Sequence, residues 1–267
     1  MKTHRLLLSV ATACALLAAC DNRLPEPDLP QINEERVPLE LKVKASPATE
    51  TKGLIYGTSM PEGAVLGVAV VEPNLNTYDG ESLMNIPYVA AMKDGAQVWN
   101  PVNAPILLSA TTGNGHAYYP YSEDITSLKE IPMRASSDHQ VDYMYAKKVN
   151  TLRKNYPSAG MTMYHAMCGV RLCIKRGTYT GEGVITAASV KGDGLATSCM
   201  FDAISVTRTE IQGAGEAIAP PMEPITITPE VQNIDIIAVP TGLESVIDIE
   251  LCIDGRTISL QTPRKSY

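Results

Sequence analysis

The chain has 267 residues but only one phenylalanine (Phe201), one tryptophan (Trp99) and four histidines. With so few histidines, a histidine-built metal or catalytic centre has little to draw on. Zinc-type CxxC pairs are absent, as are HExxH, GxSxG, GxGxxG and P-loop patterns, so the sequence names no catalytic residue, metal ligand or cofactor. Positive charge is also short. Lys and Arg number 22 against 29 Asp and Glu, for a formal charge of −7, which argues against nucleic acid or an anionic membrane surface as partner. Long amphipathic helical periods are missing, and the longest uncharged apolar run, Leu6 to Ala19, is too short to cross a bilayer.

That run follows Lys2 and Arg5 and reads as a secretory h-region. Ala18 and Ala19 stand directly before Cys20 and resemble the lipobox of bacterial lipoproteins. The resemblance implies a signal peptide over residues 1–19, cleavage before Cys20, a diacylglyceryl group on the Cys20 thiol and a fatty acyl (palmitate-type) chain on its amino group. Several chains give an anchoring that one chain does not. Residues 20–36 are rich in proline and acidic side chains and read as an extended spacer.

From Val37 onward, period-two alternation dominates. In VPLELKVKA, Val37, Leu39, Leu41, Val43 and Ala45 share one side, and Glu40, Lys42 and Lys44 the other, as in a half-buried strand. AVLGVAVVE (64–72), PILLSA (105–110), PITIT (224–228) and NIDIIAV (233–239) read as further strands. Asp94-Gly95, Asn114-Gly115 and Gly192-Asp193-Gly194 read as turns between strands. SVIDIELCI and RTISL flank Asp254-Gly255, the pattern of a two-residue type I′ hairpin, with Ile247, Ile249, Leu251 and Ile253 inward. Only SEDITSLKEI (122–131) offers one or two helical turns. Many short strands between turns indicate an all-β sandwich architecture.

MTMYHAMCGVRLCIK (161–175) gathers a histidine and two cysteines, yet one unbroken strand would place His165 and Cys168 on opposite faces. It therefore predicts packing, with Tyr164, Ala166, Cys168, Val170, Leu172 and Ile174 inward and Met163, His165 and Met167 on the other side.

AYYPYS (117–122), VDYMYAK (141–147) and MYHAM (163–167) resemble, in order and spacing, the Tyr-Tyr-Pro-Tyr, Asp-Leu-Met-Tyr-Ala and His-Ala-Leu segments of fimbrillin-family proteins (Mfa-like and FimA-like), the subunits of type V pili. The resemblance implies two tandem transthyretin-like, Greek-key β-sandwich domains, here 37–158 and 159–267, in a surface fimbria of the outer membrane that is lipid-anchored before maturation. It implies a trypsin-like maturation protease, departure of the first strand, and other fimbrial subunits as partners through donor-strand exchange. On this sequence the departing strand is Val37 to Ala45, with Val37, Leu39, Leu41 and Val43 as its plugs. Lys52 is the first candidate for the cut and Arg36 the second. Chains of this kind continue past a segment like Arg264 to Tyr267 into another strand, and this sequence stops there. The donor half of the exchange is therefore left open, and an accept-only subunit would serve as a cap, tip or anchor.

Cys168, Cys173, Cys199 and Cys252 permit three complete pairings. Cys173 and Cys252, on the less apolar faces of their strands, are the candidate disulfide; free thiols are the alternative. Tyr118, Tyr119 and Tyr121 fit either the closed end of a sandwich or a saccharide-stacking platform. The latter would make the protein a monomeric surface glycan-binding lipoprotein.

Overall fold

The computed structural model describes residues 35–46 and 57–266, and among them there is no helix. The first strands are β1 (Val37–Pro38), β2 (Glu40–Ala45), β3 (Val65–Val71), β4 (Ile86–Lys93), β5 (Ala96–Pro101), β6 (Leu107–Leu108), β7 (Gly113–Tyr119), β8 (Ile131–Arg134), β9 (Met144–Leu152) and β10 (Ser158–His165). They are followed by β11 (Cys168–Ile174), β12 (Val184–Lys191), β13 (Leu195–Ala196), β14 (Ser198–Asp202), β15 (Thr207–Gln212) and β16 (Ile225–Thr226). The last are β17 (Gln232–Pro240), β18 (Glu244–Ser245), β19 (Asp248–Ile253), β20 (Arg256–Gln261) and β21 (Lys265–Ser266).

Seven strands form one sheet in the order β2-β10-β9-β7-β3-β4-β5. It curls until its edge strands β2 and β5 touch, enclosing a core that includes Leu41, Leu66, Val68, Trp99 and Met161. β3 is apolar throughout because it is covered on both faces: Leu66, Val68 and Val70 point into this core, while Ala69 meets a second cluster containing Tyr118, Phe201 and Ile237. In the second half, β11-β17-β13 and β16-β12-β19-β20 enclose a third core of Leu172, Ile185, Val190, Ile236 and Leu251. The second cluster joins the two, drawing Ile131 and Met133 from β8 and Phe201 from β14, strands that pair with each other. Glu35–Tyr267 cluster as a single compact unit.

The Asp-Gly hairpins form as their chemistry requires. Asp94 and Gly95 (φ 51° and 78°) join β4 to β5, and Asp254 and Gly255 (φ 49° and 73°) join β19 to β20, the two positive φ values of a type I′ turn.

Four local expectations need correction. SEDITSLKEI forms turns and no helix. Asn114-Gly115 lies inside β7, where the register against β9 shifts on both sides of Gly115; a Cβ there would press on Leu152, so the glycine serves close packing and not a turn. The first strand is interrupted at Leu39, whose N–H donates to the Ile106 carbonyl. MTMYHAMCGVRLCIK is two strands in different sheets, β10 and β11, and the chain changes sheet at Ala166–Met167. The inward face changes there too: Met161 and Met163 fill the first core, Ala166 and Met167 the second cluster, and Cys168 and Leu172 the third. A strand that passes between sheets has no reason to keep one inward parity.

Candidate functional site

β2 lies at the edge of its sheet, where its one strand partner is β10. The pairing is parallel, running from Ser158↔Glu40 to Met163↔Ala45. Alternation then decides which side chains enter the protein. Leu39, Leu41 and Ala45 are buried and Val43 packs beside them, all in the first core, while Glu40, Lys42 and Lys44 face solvent. Burial of each leucine contributes about 2 kcal/mol, so the strand is held mainly by its plugs and by one ladder.

Its two ends are tied separately. At the start, Val37 pairs with Leu108, and the Glu40 N–H donates to the Pro157 carbonyl at 2.9 Å. At the finish, the Ala45 N–H donates to Thr58 O (2.8 Å) and the Ser46 N–H to Met163 O (2.7 Å). His165 adds a side-chain tie: Nε2 lies 3.2 Å from the Ser46 carbonyl, and Nδ1 lies 2.9 Å from Asp142 Oδ2. Where β2 approaches β5, a seam of about 470 Å³ is lined by Lys42, Val43, Lys44, Gln97, Gly160, Met161 and Thr162. Removing β2 would expose the β10 edge and the apolar wall beneath it, a groove with unpaired backbone groups and pockets at every second residue.

Cys20 and Lys52 lie outside the described residues. Arg36 is on the surface, donating to Glu81 Oε1 at 2.7 Å and standing 3.7 Å from Asp79 Oδ2. Hydrogen bonds from Ser109 and Thr111, with Arg36 nearby, hold the Asp79 carboxyl below its ordinary range. A cut after Arg36 would leave β1 and β2 joined to the body through residues 46–57, whereas one after Lys52 would sever them from it. Val37 is half-buried in the small β1–β6 pair, while Leu39, Leu41 and Ala45, with Val43 beside them, pack in the first core.

Cys173 and Cys252 are not bridged, and all four described cysteines are thiols. Cys173 follows inward Leu172 on β11 and Cys252 lies between inward Leu251 and Ile253 on β19, so each points away from the core between the two sheets. Cys168 Sγ donates to the Ala238 carbonyl, and burial pushes the Cys199 thiol up to about 11. Alkylation at neutral pH, read by peptide mass, is expected to modify Cys173 first and Cys252 next, with Cys168 and Cys199 reacting only on unfolding. Early reaction of Cys199 would contradict this packing.

Tyr118 is buried and its hydroxyl donates to Asn85 Oδ1 at 2.7 Å, so it cannot stack on a ligand. Tyr119 and Tyr121 are half-buried. Beside them opens a cleft of about 600 Å³ whose lining includes Pro120, Tyr121, Asp124, Glu130, His139 and Tyr143. Among the described residues, no three His, Cys, Asp or Glu side chains gather as a metal site. The Asp142–His165 pair is not apparent from the sequence because its members are 23 positions apart; the available signal is that Asp142 belongs to VDYMYAK and His165 to MYHAM.

A model of the fimbrillin-like family matches residues 55–266, beginning just beyond Lys52. No curated protein matches the sequence. Among solved structures, a candidate cell adhesion protein from Bacteroides uniformis is 18% identical with a TM-score of 0.64, the match covering 85% of this chain and 84% of that one. Another from Bacteroides ovatus is 16% identical with a TM-score of 0.63, covering 87% and 88%. At such identities the likeness is one of fold.

Proposed function

This chain belongs to the fimbrillin-like family, and from that premise we propose that it is a non-enzymatic structural subunit of a cell-surface fimbria that accepts a strand from a neighbouring subunit after its own β2 has left. The observation that carries the reading is the placement of β2: an edge strand with one ladder, apolar plugs, and a connection to the body through the segment that holds Lys52. Cell-adhesion assignments of the proteins with this fold support the same reading. Two tandem sandwiches, a Cys20 lipid anchor in the outer membrane and a trypsin-like maturation protease complete the proposal.

Limited digestion of the purified full chain with a trypsin-like protease tests it. The expected products are a new amino terminus after Lys52 and ladders of polymer that survive mild heating. Clipped chains that remain monomeric, or assembled polymers whose subunits still begin at Cys20, would contradict it.

A second reading is favoured by the cleft beside Tyr121. Phenol faces with carboxylates at the rim suit a saccharide, whose C–H face stacks while its hydroxyls donate. A glycan-dependent rise in melting temperature without polymer would support that reading over the first.

A further inference from the structure

We propose that the β10 groove selects the strand that replaces β2 by plug size, taking a large plug beside Ala159 and a small one beside Met163. This rests on the release of β2 proposed for the chain's function. Alternation alone leaves the choice open. A slip by two residues keeps both the backbone ladder and the inward parity, so neither separates one register, or one apolar strand, from another.

Side-chain volume does separate them. In the parallel register Leu41 stands beside Ala159, Val43 beside Met161 and Ala45 beside Met163. All six side chains belong to the first core, and partners on neighbouring strands are about 5 Å apart on one face. Sizes therefore compensate at the two ends, the larger member of each pair filling the space its neighbour leaves. Met163 has the same relation on its other side, where it pairs with Ala146 of β9. Ala45, Met163 and Ala146 are 1%, 0% and 0% exposed, a closed row with one methionine between two alanines. A two-residue slip in one direction puts Leu41 beside Met161 and Val43 beside Met163, adding atoms to sites already filled. The opposite slip puts Val43 beside Ala159 and leaves part of the leucine's space empty. A foreign strand with its plugs in another order meets the same penalties. The partner that fits is a second subunit's strand whose inward residues, at every second position, shrink from leucine-sized beside Ala159 to alanine beside Met163.

The test uses the full chain, clipped by a trypsin-like protease that is then stopped with a covalent inhibitor, and reads the retention of labelled synthetic peptides. One peptide spans residues 37–46. The other carries Leu41→Ala and Ala45→Leu, so composition, charge and alternation are unchanged and only the order of sizes differs. The natural peptide is expected to bind about tenfold more tightly, because the exchanged one crowds Met163 and leaves a void beside Ala159. Met163→Ala in the chain makes room for the exchanged leucine and should shrink the preference to about threefold or less. Equal binding of the two peptides by the unsubstituted chain would overturn the proposal, and that comparison decides whether or not the Met163 variant folds. A preference undiminished in a Met163→Ala chain that melts cooperatively would overturn it as well. Retention of neither peptide would instead overturn strand release itself, and this proposal with it.

Discussion

Replacing Leu39 and Leu41 together with aspartate is expected to detach β2 and to lower the melting temperature by about 10–20 °C. Both leucines are buried in the first core; Leu41 faces inward from β2, whose one strand partner is β10, and Leu39 sits just before it with its N–H on the Ile106 carbonyl. Charged groups there lose the apolar contribution and must be drawn out to water, which the edge position allows without unfolding the rest of the sheet. The same charge on the other face is the control: Lys42→Asp and Lys44→Asp are solvent-exposed changes, expected to stay within about 0.5 kcal/mol of the parent. Thermal melts followed by circular dichroism decide the matter, and equal losses from both faces would mean that β2 is not held by its plugs.

Gly67→Val is expected to cost about 3 kcal/mol or more. Gly67 sits in the middle of β3, and a Cβ there would collide with the Tyr118 ring and the Asn85 side chain. Those two groups hold the loop after β7: the Asn85 amide donates to the carbonyls of Ser122 and Ile125 at 2.8 Å each, and the Ser122 N–H donates to the Tyr118 hydroxyl at 3.2 Å. Displacing the ring breaks these bonds together and leaves their buried partners unsatisfied. Burial pushes the Tyr118 hydroxyl up to about 12, so the substitution should also let one more tyrosine ionise near the ordinary value of about 10. Absorbance titration reads that change separately from stability. An unaltered tyrosine titration with a parent-like melting temperature would contradict the packing described for Gly67.

The sequence expressed some of this architecture locally. Alternation in Glu40–Ala45 marked both the strand and its plugs, the unbroken apolar run of β3 marked a strand covered on both faces, and Asp254-Gly255 marked a hairpin with its inward side chains. Each of those signals is carried by neighbouring residues. What was not legible depends on distant ones. Nothing local says that β2 pairs in parallel with β10, since the two are joined through more than a hundred intervening residues. The change of sheet at Ala166–Met167 is hidden because alternation continues in appearance across it, with the inward parity reversed between Met163 and Cys168. Gly115 looked like a turn residue because the reason for a glycine there is the Leu152 side chain on a strand far along the chain. The Asp142–His165–Ser46 contact brings together three separate segments, so its function as a tie is visible only once the fold is known.

Amide hydrogen exchange across Ser158–His165, measured on the full chain before and after a cut at Lys52, tests the central claim most directly. Intact protein is expected to protect the β10 amides as part of a paired sheet, and departure of β2 should raise their exchange while β7, β9 and the strands of the third core keep their protection. Addition of the 37–46 peptide should restore the β10 pattern. If the cut leaves β10 protection unchanged after the severed fragment has gone, or if protection is lost across all sheets at once, β2 is not a separable plug and the groove does not exist.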